Sequence, residues 1–353
     1  VLAPSVSISG GALTLFVAKT HTLTATKLPS SATVAWTSSY ANVATINANG
    51  VITAKAAGTV TITATLSYKA TGGLTVRGTA QKCVTVKNQT FTATLNPNGG
   101  TVSPSSIKIE NTKAYGALEK LPTPTRTGYT FAGWYTAASG GTRITDDSKV
   151  SVTANITLYA HWTANKYKVT FNPNGNADEL GNKASVNPTS QDVAYDSTYG
   201  TLPVPVWPGH TFDGWYTAAS GGTKVTSATV VKITAAQTLY AHWTISSFTV
   251  TFNANGGSTP TATKTVKYLA LYGELPVPTR TGYTFAGWYT AASGGTKITK
   301  DSKVTITANV TLYAHWTANK YSVRFNATGG SLSSSDSKTV TYDAVYGTLP
   351  IPT

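Results

Sequence analysis

The chain is almost without cysteine: Cys83 stands alone, so no disulfide can form within it. In the strand-like "KCVTV" it reads as a small apolar filler turned toward a core, because free cysteine behaves as a buried hydrophobe. Methionine is absent, even from position 1. With no leader pattern either, the expectation is an interior stretch of a longer exported protein. No apolar run approaches the roughly 20 residues that cross a bilayer as a helix, so no membrane span is expected in this segment. Acid is scarce as well: Glu110 is the first carboxylate, and residues 1–109 hold neither Asp nor Glu. That excludes a Ser-His-Asp arrangement around His21 and a carboxylate-lined calcium site in the first domain. It also excludes a Lys–Asn crosslink activated by an acid from that domain.

The shortage of acid leaves a formal charge of +14. A basic surface favours anionic partners such as wall polymers. The lysines are spread along the chain, which argues for diffuse attraction and against a defined patch.

Repeats dominate what is there. "FTATLNPNGG" at Phe91 returns as "YKVTFNPNG" at Tyr167, "FTVTFNANGG" at Phe248 and "YSVRFNATGG" at Tyr321. "TLYAHWT" closes a unit at Thr157, Thr238 and Thr311. A spacing of 73–81 residues is too long for a solenoid and suits a small domain. The boundaries read as 1–88, 89–164, 165–245, 246–318 and a partial unit at 319–353. Period-2 alternation in "YKVTF" and "TLYAHW" marks half-buried strands. "NPNGG" supplies turn residues, and the prolines of "LPTPTRTGY" make that stretch a rigid connector. No convincing helix is visible, so the fold class is all-β.

"TFAGWYTAASGGT" occurs at Thr130 and Thr284, and once more with Asp213 in place of Ala. The gap at Gly133 predicts a bulge that re-aims Trp134. A module this small needs large aromatics to fill a thin core. Phe131, Trp134, Tyr159 and Trp162 are the expected fillers, with Trp215, Trp243, Trp288 and Trp316 in the later copies. Residues 1–88 are a string of short strands with frequent turn signals, the pattern of a β-sandwich, and Trp36 is the expected plug of its core.

Two families are recognisable in these motifs. "TLTATKLPSSATVAWTSSYANVATINANGVITAKAAGTVTITAT" resembles a bacterial Ig-like domain of group 2. "VTFNANGG", "LPVPTRTGYTFAGWYT" and "TLYAHWT" resemble the Listeria–Bacteroides repeat, related to internalin B repeats. The resemblance implies an Ig-like β-sandwich followed by tandem β-grasp-like modules, beads on a string, in an exported bacterial surface protein. It brings no catalytic residues. The second unit departs from the pattern with "VWPGHTF" and an insertion around "NADELGNKASVNPTS".

Nothing in the chain supplies a catalytic constellation, a cofactor motif or a metal-ligand spacing. His161, His242 and His315 occur once per module and read as strand-face residues. Asp146–Asp147 is replaced by Ser227–Ala228 and Lys300–Asp301, so it serves no shared role. The expected function is a non-enzymatic stalk or adhesion segment, extracellular or on the bacterial surface. Alternatives are a carbohydrate- or wall-polymer-binding array of an exoenzyme, or a self-assembling filament subunit. Expected partners are a surface protein or a glycan, anionic polymers, or further copies of the chain, and no specific nucleic acid. Trp207 and His210, in the proline-flanked loop of the second unit, are the candidate ligand contacts. The partial unit has two strands and no "GWY" or "LYAHW", which predicts an apolar face that needs covering from outside that unit.

Overall fold

A computed structural model describes residues 3–333 and 336–353. It forms two compact units, Val1–Asn165 and Lys166–Thr353, each treated by itself below. The chain is β throughout; among the described residues the only helical turn is a 3-10 turn at Tyr115–Ala117.

The first domain is built on one long hairpin. Gly58–Lys69 pairs with Thr75–Lys87 from Gly58↔Val86 to Lys69↔Thr75. Leu13–Phe16 and Thr33–Ser38 extend it to a four-stranded sheet. A three-stranded sheet holds Thr20–Thr22, Val51–Ala54 and Ala44–Ile46, and Ser5–Ile8 pairs with Ala25–Leu28. Leu23, Ile52, Ile62, Val84 and Val86 share one core, with Trp36 packed against it. The strand's parity decides a further point. Val84 and Val86 point inward, so Lys82, two residues back, is also buried, and Cys83 is exposed. The expectation that Cys83 fills a core is therefore corrected: the apolar run around it set the wrong face, and alternation sets the right one.

Each complete repeat is a five-stranded sheet. In the first, the order is Ser106–Glu110, Thr90–Asn96, Ile156–Ala164, Tyr129–Tyr135 and Arg143–Ile144. The second and third keep this order on opening strands Lys166–Asn172 and Ser247–Asn253 and closing strands Gln237–Ile245 and Val310–Ala318. Opening and closing strands run parallel, with Leu95 opposite Leu158. A parallel pair needs a crossover, and here the proline-bearing connector and the Trp strand provide it. The register of the Trp strand shifts between Phe131 and Gly133, between Phe212 and Gly214, and between Phe285 and Gly287, the bulge expected from the sequence.

That bulge delivers the indoles of Trp134, Trp215 and Trp288 into the three cores, where each is no more than 2% exposed. Phe131, Trp162, Trp243 and Trp316 are partly buried against the same cores. Tyr159 was expected among these fillers, but its neighbours Leu158 and Ala160 take the core face and Tyr159 lies half-buried on the other. Beyond the third repeat, Lys320–Arg324 pairs with Ser337–Thr341 in a separate two-stranded sheet. Val323 and Val340 of that sheet are half-buried, while beyond it Tyr346 is 55% exposed where the matching Tyr272 of the third repeat is 3%.

Candidate functional site: the repeat joint and its aromatic groove

The repeated motifs explain one another through hydrogen bonds. The core indole N–H groups of Trp134, Trp215 and Trp288 donate to the carbonyls of Pro122, Pro203 and Pro276 at 2.7–2.8 Å. The second indole, Trp162 or Trp243, donates to the turn carbonyl of Pro97 or Pro173. Proline there fixes the connector and the turn while leaving a carbonyl for the indole. The "AASGG" hairpin is latched twice. His161, His242 and His315 each place Nε2 2.9–3.0 Å from the carbonyl of Ala137, Ala218 or Ala291. A carbonyl only accepts, so Nε2 carries the proton. Each ring also stacks on Tyr135, Tyr216 or Tyr289 at 3.9 Å. The amides of Asn98, Asn174 and Asn255 donate to the neighbouring carbonyls of Ala138, Ala219 and Ala292. These residues are committed to structure in every copy.

Within the second unit, consecutive repeats meet at a joint built the same way twice. One residue separates the strands: Ser246 after Ile245, and Asn319 after Ala318. Its N–H donates back to Gly209 or Gly282 of the preceding repeat. Its carbonyl accepts from Tyr268 or Tyr342 of the following one. The tyrosine ring then lies over that same glycine. Gly209 has φ of 74° and Gly282 of 79°, and a Cβ on either would sit 2.3–2.4 Å from the ring of Tyr268 or Tyr342. Only glycine accepts both the left-handed backbone and the ring. In the first repeat, which follows the sandwich, the position of Tyr268 is taken by Asn111. Its N–H donates to the linker carbonyl of Gln89, and its side-chain oxygen accepts from the Gln89 N–H.

The insertion of the second repeat adds to the joint. Asp178 accepts the N–H groups of Leu180 and Asn182 and closes a tight turn. The Tyr268 hydroxyl donates to Asp178 at 3.0 Å and accepts from the Asn182 amide at 2.8 Å. Glu179 forms an ion pair with Lys303 of the third repeat. Partial burial would raise the Asp178 carboxyl, but the hydrogen bonds from Asn182, Tyr268 and Leu180 outweigh it and hold the group below its ordinary range. The Tyr268 hydroxyl is raised, first by burial and then by the carboxylate it donates to.

Trp207 and His210 border this joint. Their rings stack at 3.6 Å, and the Trp207 N–H donates to Asn182 O at 3.1 Å. Trp207 also meets Trp243 edge-on at 5.7 Å, and His210 meets Tyr268 at 5.8 Å. In the other two repeats the same positions carry arginine and tyrosine, with Arg126 over Tyr129 and Arg280 over Tyr283 at 3.9 Å. A stacked aromatic pair thus replaces a cation–π pair. Beside it runs a groove of about 470 Å³ lined by Val206, Trp207, His210, Phe212, Trp243 and Phe248, among others. The role of Asn182 as partner to both Trp207 and Tyr268 has no local signal in the sequence. The one visible trace of the joint is that this position carries tyrosine at 195, 268 and 342 but asparagine at 111.

The Listeria-Bacteroides repeat domain family matches residues 91–161, 167–242 and 248–315, more than half of the chain. The chain belongs to that family. A bacterial Ig-like domain of group 2 matches residues 3–76, the sandwich that precedes the Listeria-Bacteroides repeats. Among curated proteins, internalin H of Listeria monocytogenes is 40% identical over 142 residues, which cover 40% of this chain and 24% of that protein. A putative Gly-rich membrane protein of Evansella cellulosilytica is 34% identical over 252 residues, covering 64% of this chain and 26% of that protein. The chain spans about a quarter of the length of these relatives. Among solved structures, the Bacillus anthracis TIE protein aligns over 87% of this chain and 74% of its own at 9% identity, with a TM-score of 0.31.

Proposed function

We propose that the chain is a non-catalytic stalk and adhesion segment of a bacterial cell-surface or secreted protein, in which the consecutive Listeria-Bacteroides repeats of the second unit hold one another in a fixed register. The joint carries this reading. A one-residue linker bonded on both sides, with a tyrosine seated over a glycine, resists bending where a flexible tether would not. The residues repeated in every copy support the same view, because the indoles, the histidines and the turn asparagines all serve the scaffold. Relatives that include an internalin and a putative membrane protein agree with an extracellular setting. An antibody against the repeats should label intact producing cells or be found on protein in the medium. Signal that emerges only after lysis contradicts the proposal.

One observation favours a second reading, a glycan-binding accessory role: the groove beside Trp207 joins an aromatic wall to polar groups of Ser246 and Thr307. Calorimetric titration with soluble wall-glycan fragments tests it. Saturable binding lost in Trp207→Ala, with the fold retained, supports this role, and no heat of binding removes it.

A further inference from the structure

Among the described residues, Lys82 is the one buried charged side chain; it is 9% exposed. It faces inward from the strand Thr75–Lys87, opposite Ile62, which is fully buried. The ammonium donates to the carbonyls of Ser9 and Gly10 at 2.6 and 3.0 Å. Lysine has three such donors, so one N–H is left over. Buried charges are ordinarily paired with an opposite charge, because removing one from water is costly. The sandwich cannot supply that partner, since residues 1–109 contain no Asp or Glu. The ammonium borders a groove of about 360 Å³ whose lining is largely polar and includes Gly10, Gly11, His21, Thr22 and Thr24. The sandwich thus holds a buried cation without a counter-charge of its own, beside a groove that His21, Thr22 and Thr24 border.

We propose that this groove binds a carboxylate carried by a sugar acid. The carboxylate takes the remaining N–H of Lys82 in a charge-assisted hydrogen bond, which is about twice as strong as a neutral one. His21, Thr22 and Thr24, which border the groove, offer side-chain or backbone polar groups to sugar hydroxyls. A neutral sugar lacks the group that the ammonium needs. The site lies in the sandwich and is independent of the joints, so its failure leaves the stalk reading untouched.

The test is a titration of the full chain followed by amide and lysine side-chain NMR. Sodium glucuronate is the probe, with methyl glucoside, acetate and inorganic phosphate as comparison arms. Glucuronate should give saturable shifts confined to the Lys82 ammonium and the Gly10, Gly11, Thr22 and Thr24 amides. Lys82→Met should weaken the effect at least tenfold. Thr24→Val, at an exposed position, should weaken it severalfold with the lysine and the fold in place. Methyl glucoside should give no shift, and weak acetate binding at the same amides supports carboxylate recognition. Tighter binding of phosphate than of glucuronate overturns the ligand class. Shifts spread evenly over all lysines, or unchanged in both variants, overturn the site.

Discussion

The second and third repeats fold the same sheet with the same core, yet they treat one loop differently. The third keeps Arg280 over Tyr283, with the guanidinium donating to Asn255 O. The second places Trp207 on His210 and turns the indole N–H toward Asn182, inside an insertion that the third repeat lacks. The insertion then reaches the Tyr268 hydroxyl through Asp178 and Asn182. The joint after the third repeat has the same tyrosine-over-glycine contact but holds it differently, with the Tyr283 hydroxyl donating to Asp343. The difference shows that the glycine seat and the linker bonds are the common element. The surrounding loop is free to vary, and in the second repeat it varies toward a tighter clasp.

The largest expected effect lies in what the two repeats share. Trp215→Ala and Trp288→Ala should each destabilise their own repeat by about 3–5 kcal/mol, the range for removing a buried tryptophan. Chemical denaturation followed by local hydrogen exchange measures this. Equal costs keep the two repeats equivalent at the core, and a near-unchanged profile in either breaks the comparison.

Next comes the seat itself. Gly209→Ala meets a left-handed backbone, which costs an alanine roughly 1–2 kcal/mol, and it must also displace the Tyr268 ring. Gly282→Ala should behave alike toward Tyr342. Calorimetry should show a lowered transition in both variants.

Smaller effects separate the two joints. Tyr268→Phe removes one donor and one acceptor and should cost about 0.5–1.5 kcal/mol. The paired change Trp207→Arg with His210→Tyr recreates the pair of the third repeat. It should cost less than the sum of its single changes, by about 0.5–1 kcal/mol, if the cation–π pair can form in the second repeat. A purely additive result in a double-mutant cycle shows that the insertion dictates the pair.

The clasp should also depend on pH. The folded-state Asp178 carboxyl is lowered, so its contribution is present above the ordinary carboxylate range near 4 and is lost as pH falls through the folded value. The Tyr268 hydroxyl is raised, so its contribution is present below about 10 and is lost as pH rises through its folded value. Asp178→Asn should flatten the acid limb in a stability profile.

Much of this was legible in the sequence, and the misses share a cause. Repeat length, strand periodicity, the bulge before Trp134 and the core tryptophans follow from spacing and residue type. Cys83 and Tyr159 were misread because residue type was weighed above parity. Val84 and Val86 already place Lys82 inside and Cys83 outside, and Leu158 and Ala160 already turn Tyr159 away from the core. The joint was legible only as a pattern, with tyrosine at 195, 268 and 342 and asparagine at 111. Contacts from Asn182 and Asp178 to Tyr268 span 86 and 90 residues, and no local rule reports a pairing at that distance.

Hydrogen exchange on Trp288→Ala, with and without Gly209→Ala, tests the coupling most directly. If the joint carries mechanical and thermodynamic register, Trp288→Ala should speed exchange in the third repeat and also at the core amides of Phe171 and Leu239 in the second. In the Gly209→Ala background the effect should stay within the third repeat. Unchanged exchange at Phe171 and Leu239 in the Trp288→Ala chain would show that the repeats fold independently, and the account of the joint would be wrong.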